Sequence, residues 1–190
     1  MQARVLLALT LFAFVPVQQS ITLEVRTFDG TTDVSDVTRV IVHRAAQRDQ
    51  PVAQINAGAR PTVTVAPGIY DAQAIREQSG RLVNIRWLER LVVLPYPDEN
   101  GHHVEVINFQ NGYGALEVRD ASSRRPDADI ALYTPTDHDK PAAVPMTTST
   151  YALFVVRAGE YDIYVKRGAR DTWHPRVDVP VDRTRLWILP

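Results

Sequence analysis

The sequence contains no cysteine, and this absence excludes several kinds of chemistry. Disulfide bonds, thiolate catalysis and cysteine-ligated zinc sites all require that side chain. The lipidated cysteine that anchors a bacterial lipoprotein is missing for the same reason. The fold must therefore be stabilised by packing, hydrogen bonds and ion pairs.

An excess of either charge is also missing. The 190 residues include 21 basic and 22 acidic side chains, which gives a net charge of −1 at pH 7. Proteins that bind nucleic acid usually concentrate Lys and Arg to neutralise phosphates. The balance argues against a nucleic-acid partner, and a hydrophobic content of 45% is enough to form a packed core.

One long apolar run stands at the N-terminus, VLLALTLFAFVPV at residues 5–17. It matches the core of a signal peptide and is shorter than the roughly 20 residues of a standard membrane span. The small residues that favour signal cleavage are poorly placed after it, which leaves an uncleaved anchor as the main alternative and a buried N-terminal strand or helix of a cytosolic protein as the lesser one. We therefore assign residues 1–20 to a signal peptide or N-terminal membrane anchor. The protein is expected to be exported, periplasmic or extracellular, with membrane contact only through residues 5–17 if they are retained.

Helical periodicity is absent after that run, and the 13 prolines are well spread. Short segments instead alternate apolar and polar residues, as in ITLEVRTF at residues 21–28, where Ile21, Leu23 and Val25 share one face. Pro, Gly, Asp and Asn separate these segments. The pattern predicts an all-β fold made of antiparallel sandwiches.

Three motifs occur twice in the same order. ITLEVR (21–26) returns as GALEVR (114–119), TVTVAPGIYDAQAIR (62–76) as LFVVRAGEYDIYVKR (153–167), and WLERLVV (87–93) as WHPRVDV (173–179). Self-similarity in a fixed order indicates duplicated units. We predict two tandem β-sandwich modules, 21–110 and 111–190, joined near NFQNGYG. Because the linker is short, the modules should pack against each other.

A family resemblance rests on the second of these motifs. Its residues are Pro67, Gly68, Tyr70 and Asp71 in the first copy, and Ala158, Gly159, Tyr161 and Asp162 in the second. An opening LEV, an apolar strand and then [PA]-G-x-Y-D resemble the carboxypeptidase-regulatory-like or transthyretin-like (Ig-like) β-sandwich. They also resemble paired Ig-like modules that accompany von Willebrand A domains in bacterial exported proteins. Such modules are generally non-catalytic, so the resemblance implies no active site.

Each residue of the motif also has a structural interpretation. Glycine allows a tight connection. The tyrosine covers the core while its hydroxyl bonds nearby backbone, and the aspartate bonds amides within its own turn.

Three acidic or histidine-containing segments are candidates for a metal site. They are DENGHHVEV, with Asp98, Glu99, His102, His103 and Glu105; TDHDK, with Asp137, His138 and Asp139; and FDGTTDVSD, with Asp29, Asp33 and Asp36. In the first, adjacent histidines on a strand point to opposite faces and only His103 and Glu105 share one. A metal needs three or four converging ligands. Turns and solvated loop tips are favoured in all three, with calcium as the alternative in the acidic loops. AQRDQ in the first copy is the counterpart of TDHDK.

No catalytic constellation is recognised. The sequence has no G-x-S-x-G motif and no phosphate-cradling glycine loop. His43 lies in an apolar strand and is interpreted as a structural histidine with satisfied hydrogen bonds. We assign no catalytic, cofactor-binding or metal-binding residues and predict neither an enzyme nor a cofactor.

Aromatic residues are interpreted mainly as packing. Trp87 and Trp173 occupy equivalent places in the two copies, which favours a shared packing role, and Trp187 is the third tryptophan. The tyrosines predict no platform, because they are scattered along the chain: Tyr96, Tyr113, Tyr133, Tyr151 and Tyr164.

The functional prediction is a non-catalytic exported structural or protein-interaction module. It would serve as an accessory subunit on the periplasmic or extracellular face of a membrane assembly. The alternative is a carbohydrate-binding module that uses exposed aromatics.

Overall fold

The computed structural model describes residues 20–58, 60–94 and 101–190. The predicted segment 5–17 and the turn residues Asp98 and Glu99 lie outside the described residues. Within them the chain forms β-strands and one short 3₁₀ helix, Ser35–Val37, and no α-helix. The all-β prediction is confirmed.

The first sandwich is built from eight strands in two sheets. They are β1 (Ile21–Asp29), β2 (Thr32–Asp33), β3 (Thr38–Arg44), β4 (Gln47–Ile55), β5 (Thr62–Val65), β6 (Gly68–Gln78), β7 (Arg81–Val93) and β8 (His102–Asn108). Sheet 1 has β1 at its centre, between β5 and β8, with β2 paired to the end of β1. Sheet 2 has the order β4-β3-β6-β7.

The second sandwich repeats this arrangement with seven strands. They are β9 (Tyr113–Arg119), β10 (Asp129–Tyr133), β11 (Met146–Thr147), β12 (Ala152–Arg157), β13 (Gly159–Arg167), β14 (Arg170–Val179) and β15 (Thr184–Ile188). Sheet 3 has the order β11-β12-β9-β15, and sheet 4 the order β10-β13-β14. The strands β1, β3, β5, β6, β7 and β8 thus correspond to β9, β10, β12, β13, β14 and β15.

Two features depart from the predicted antiparallel repeat. The first and last strands of each sandwich pair in parallel, β1 with β8 and β9 with β15. In addition, the described residues contain no counterpart of β4 in sheet 4, and the segment after β10 returns to that strand at the bridge between Leu132 and Ala143. Sequence alternation predicts a strand and its buried face, but not the direction of its neighbour.

Each sandwich has its own core, and a third apolar cluster lies between sheets 1 and 3. The third cluster contains Phe28, Val104 and Val106 from the first sandwich and Ala115, Tyr151 and Leu153 from the second. The inner strands β1, β8, β9 and β12 are consequently buried on both faces over most of their length, whereas the other strands of sheets 1 and 3 are partly or largely exposed. The molecule is therefore a stack of four sheets with three apolar layers.

The connection between the two sandwiches is short, since β8 ends at Asn108 and β9 begins at Tyr113. Asn108 orders the chain nearby: its side chain accepts a hydrogen bond from the Gly30 amide and donates one to the Gly30 carbonyl. The division into domains 21–110 and 111–190 stays a prediction.

Among the described residues, no helix has the length and apolar character needed to cross a membrane.

Candidate functional site

The repeated tyrosines close the same local loop in both sandwiches. The Tyr70 hydroxyl donates to the carbonyl of Ala66 at 2.6 Å, and the Tyr161 hydroxyl donates to the carbonyl of Arg157 at 2.9 Å. Each bond spans four residues and fixes the connection into β6 or β13. The predicted bond from the hydroxyl to nearby backbone is confirmed.

The repeated aspartates bond an amide on the next strand and not, as predicted, an amide within their own turn. Asp71 Oδ1 accepts from the Arg90 amide, and Asp162 Oδ1 accepts from the Arg176 amide, each at 2.9 Å. Strand pairing is shifted beside both aspartates, and both arginines have positive φ, 56° and 54°. The carboxylate therefore stabilises a β-bulge in each sandwich.

Hydrogen bonds lower the pKa of both carboxyls. For Asp162 the main cause is the Arg176 amide, with a further contribution from His138. For Asp71 burial raises the pKa, but hydrogen bonds from the Arg90 amide and the Arg48 side chain outweigh it. Both aspartates are thus held as anions.

A cationic or imidazole side chain covers the tryptophan beside each aspartate. Arg48 Nε donates to Asp71 Oδ2 at 3.0 Å, and its guanidinium lies 4.2 Å from the centre of the Trp87 ring. His138 Nε2 lies 2.8 Å from Asp162 Oδ2, and its ring stacks on Trp173 at 4.4 Å. Both side chains are partly exposed, as predicted, but only His138 lies in a loop. The predicted AQRDQ loop is wrong, because Gln47 begins β4 and Arg48 belongs to that strand.

In the second sandwich the tryptophan belongs to an exposed aromatic cluster on the outer side of sheet 4. The ring centres of Tyr133 and Tyr164 each lie 5.0 Å from that of Trp173, and the two tyrosine rings are 6.2 Å apart. Trp173 is 42% exposed. We call Tyr133, His138, Tyr164 and Trp173 the aromatic face.

The aromatic face corrects two sequence interpretations. Tyr133 and Tyr164, expected to be scattered, come together because β10, β13 and β14 are neighbours in sheet 4. Trp173 does not pack in a core, whereas Trp187 packs against the core of the second sandwich. The pairing of β10, β13 and β14 brings the rings together, since Tyr164 lies opposite Trp173 and Tyr133 lies opposite Asp162.

The first sandwich carries a different version of this surface. His43 lies opposite Asp71, where the second sandwich has Tyr133, and Gln73 lies opposite Trp87, where it has Tyr164. His43 is buried near Trp87, and neither ring nitrogen has a hydrogen-bond partner among the described residues. The predicted satisfied histidine is therefore wrong. Only the second copy presents three aromatic rings.

A polar network joins sheets 1 and 3. Glu24 accepts from the Tyr151 hydroxyl at 2.6 Å and from Arg26 Nε at 2.6 Å, and His102 Nε2 lies 2.9 Å from its other oxygen. Burial raises the pKa of Glu24, but the hydrogen bonds from His102, Tyr151 and Arg26 outweigh it and lower the pKa overall. The carboxylate is therefore ionised inside the junction.

A second buried ion pair lies beside this network, on β9. Arg119, 1% exposed, pairs with the buried Glu117 and approaches His102. Burial raises the pKa of Glu117. The Arg119–Glu117 pair lies within β9, and the contact of Arg119 with His102 links it to the first sandwich.

The described residues of the three candidate metal segments do not come together as a set of ligands. His103 and Glu105 share a face as predicted, 3.8 Å apart, while His102 turns to Glu24. In the other two segments, the Asp137 carboxylate accepts a hydrogen bond from the Asp139 amide, and Asp29 forms an ion pair with Arg76. The described residues contain no group of three or more His, Cys, Asp or Glu side chains that could hold an ion.

No protein-family model and no curated protein matches this sequence. Among solved structures, the Bacillus anthracis TIE protein is 14% identical, with a TM-score of 0.32, over 90% of this chain and 33% of that one. This chain therefore spans about a third of that protein. A candidate adhesin from Bacteroides ovatus is 10% identical, with a TM-score of 0.31, over 96% of this chain and 95% of its own. A candidate cell adhesion protein of the same species is 7% identical, with a TM-score of 0.30, over 88% and 90%. Sequence identities and TM-scores this low do not support an inference about function.

Proposed function

We propose that this protein is a non-catalytic exported module that binds another protein through the second sandwich. The aromatic face is the observation that carries the proposal. It places one tryptophan and two tyrosines on an exposed sheet surface, and these residue types are enriched among those that contribute most to protein interfaces.

The rings of the aromatic face are already fixed in position. Trp173 contacts both tyrosines in tilted or edge-on geometry, and His138 stacks on it while bonding to Asp162. Because these rings already pack against one another, binding of a partner restricts their side chains little, and less binding free energy is lost to ordering them. This favours the face as a contact surface over the more charged surface around Trp87.

The biological setting follows from the sequence. Residues 5–17 direct export or act as an anchor, and the paired sandwiches resemble non-catalytic modules of bacterial exported proteins. We propose an accessory subunit on the periplasmic or extracellular face of a membrane assembly.

Carbohydrate binding is the second candidate, because sugars also bind to exposed aromatic rings. The geometry favours it less. Sugar stacking needs a free ring face, whereas His138 lies nearly parallel to Trp173, at 17°, and the tyrosines meet the same ring at 51° and 62°. A sugar that stacks on the side held by His138 must first displace that side chain.

The test is isolation of the protein from separated membrane and soluble fractions of its native source, with co-migrating proteins identified. A companion in fixed proportion supports the proposed function. A partner-free protein that binds a polysaccharide panel would replace it with the carbohydrate alternative, and a partner-free protein that binds no glycan would contradict both.

A further inference from the structure

The outer edge of β10 is open in a place where the first sandwich is closed. In sheet 2, β4 covers the edge of β3 and pairs Val40 with Ile55 and Ile41 with Gln54. The residues of β10 that are equivalent to Val40 and Ile41 are Ile130 and Ala131, because Tyr133 and His43 face the repeated aspartates in the same register. At this edge the described residues add contacts to Leu132 alone: its bridge with Ala143 and a hydrogen bond from the Ala142 amide to its carbonyl.

Hydrogen bonding at that bridge shows which backbone groups point outward. The Leu132 amide donates to the Ala143 carbonyl at 3.0 Å, and the Leu132 carbonyl accepts from the amides of Ala142 at 2.7 Å and Ala143 at 3.3 Å. Backbone groups along a strand alternate in direction, so those of Ile130, two residues earlier, point to the same side.

Proline explains why the ladder stops. Antiparallel pairing continued from Leu132 and Ala143 would bring Ile130 opposite Pro145. Pro145 has no amide hydrogen to donate, so it cannot complete a hydrogen-bonded pair. The chain then leaves β10, and Met146–Thr147 pairs with β12 in sheet 3.

A groove lies along the edge left open. It consists of two overlapping parts of about 570 and 510 Å³, both lined by Asp129, Ile130, Pro145 and Thr147. One part continues along residues 125–128, and the other reaches Tyr133 and Tyr164. The groove is therefore continuous with the aromatic face.

We propose that this groove receives an extended segment of the partner protein as an additional antiparallel strand on β10. The inference rests on the proposed function and specifies how the partner is held. The first sandwich indicates the shape of the occupant: its β4 places the buried Ile55 opposite Val40. The added strand pairs with the backbone of Ile130 and directs an apolar side chain towards the second core. Its neighbouring side chains reach Tyr133 and Tyr164.

A synthetic peptide tests the proposal on the full chain without any knowledge of the partner. The probe is acetyl-QINAG-amide, which copies residues 54–58 and places isoleucine opposite Ile130. At about 1 mM, a concentration suited to weak binding, it should shift the NMR signals of residues 127–131. It should also slow hydrogen exchange at the Ile130 amide about tenfold or more.

Two controls make the result specific. The same peptide N-methylated at isoleucine lacks the donor for the Ile130 carbonyl and should lose these effects. The variant Pro145→Val supplies the missing amide, lets the chain close its own edge, and should reduce peptide binding in a protein that is still folded.

Three results would overturn strand addition: no shift at residues 127–131, shifts confined to another surface, or equal binding of the N-methylated peptide. Concentration-dependent protection of Ile130 without peptide would instead assign the edge to a second copy of this chain and overturn the heterologous partner. None of these outcomes requires a companion protein, so they are distinguishable from failure of the proposed function.

Discussion

At the scale of single residues, the repeated Tyr-Asp pair has a structural role that its short motif only partly predicts. The tyrosine bond spans four residues and can be expected from the sequence. The aspartate acceptor cannot, because its partner amide lies 19 residues away in one sandwich and 14 in the other. Its identification requires the register of two strands and the position of a bulge.

Asp162→Ala is expected to destabilise the fold by about 1 to 2 kcal/mol, because the Arg176 amide loses its acceptor in a partly buried position. Urea unfolding measures the loss. Asp171→Ala, which alters an exposed carboxylate in the same sandwich, should change stability by less than about 0.5 kcal/mol. Equal effects of the two variants would show that the hydrogen bond is unimportant.

The backbone conformation of Arg176 leads to a second prediction for a single residue. Its φ of 54° is unfavourable for most side chains and worst for β-branched ones. Arg176→Val should therefore lower the free energy of unfolding by about 1 to 2 kcal/mol more than Arg176→Gly, because glycine adopts a positive φ without steric penalty. Thermal melts of the two variants provide the comparison, and similar melting temperatures would argue against the bulge geometry.

At the scale of elements, sequence alternation predicts most of the strands, but neither β4, whose first residues were expected to form a loop, nor all of the strand partners. The alternating apolar residues of the LEV motif predict a buried face for β1 and for β9. The same residues do not predict that these strands pair in parallel with β8 and β15. The missing counterpart of β4 was likewise not recognised. Its physical cause is local: Pro145 stands where the ladder with β10 would continue.

Close packing of two chain segments fixes the start of β9. A side chain at Gly114 would place its Cβ 1.9 Å from the carbonyl oxygen of Pro180. Gly114→Ala should cost about 3 kcal/mol or more, since backbone must move to admit it. Gly68→Ala, whose Cβ meets nothing closer than 3.3 Å, is the control and should cost less than half as much on chemical denaturation. A mild effect of Gly114→Ala would contradict this packing.

At the scale of the whole molecule, the third apolar layer and the Glu24 network join the two sandwiches. Packing of the two units was predicted from the short linker, but the charged residues between them were not, because Glu24 and Tyr151 are 127 residues apart in sequence. The aromatic face was missed for the same reason. Its rings come from three strands that only sheet pairing brings together.

The Glu24 network predicts a pH dependence of stability. The folded-state pKa of Glu24 is lowered, so its ionised form contributes stability above its ordinary pKa of 4.5, and this contribution is lost as pH falls through the folded-state value. Glu24→Gln should destabilise the protein by about 2 to 3 kcal/mol at pH 7 and flatten the loss of stability below pH 4.5. Denaturation midpoints between neutral and acidic pH measure both effects.

The exposed pair of Arg39 with Glu77 provides the control for that series. Glu77→Gln should change stability by less than about 1 kcal/mol and leave the pH profile unaltered, because exposed ion pairs are weak. If Glu24→Gln leaves the dependence of stability on acidic pH unchanged, the ionised Glu24 carboxylate does not contribute to the stability of the junction.

Calorimetry of the recovered companion protein with two matched variants, Trp173→Ala and Trp87→Ala, tests whether the aromatic face is the binding surface. The tryptophans occupy equivalent positions, but only Trp173 belongs to the aromatic face. We expect Trp173→Ala to weaken binding about 30-fold or more, the usual effect of removing a central aromatic contact, and Trp87→Ala to leave it within about threefold. Unchanged affinity in Trp173→Ala, or an equal loss in both variants that remain folded, would contradict the assignment of the second sandwich as the binding surface.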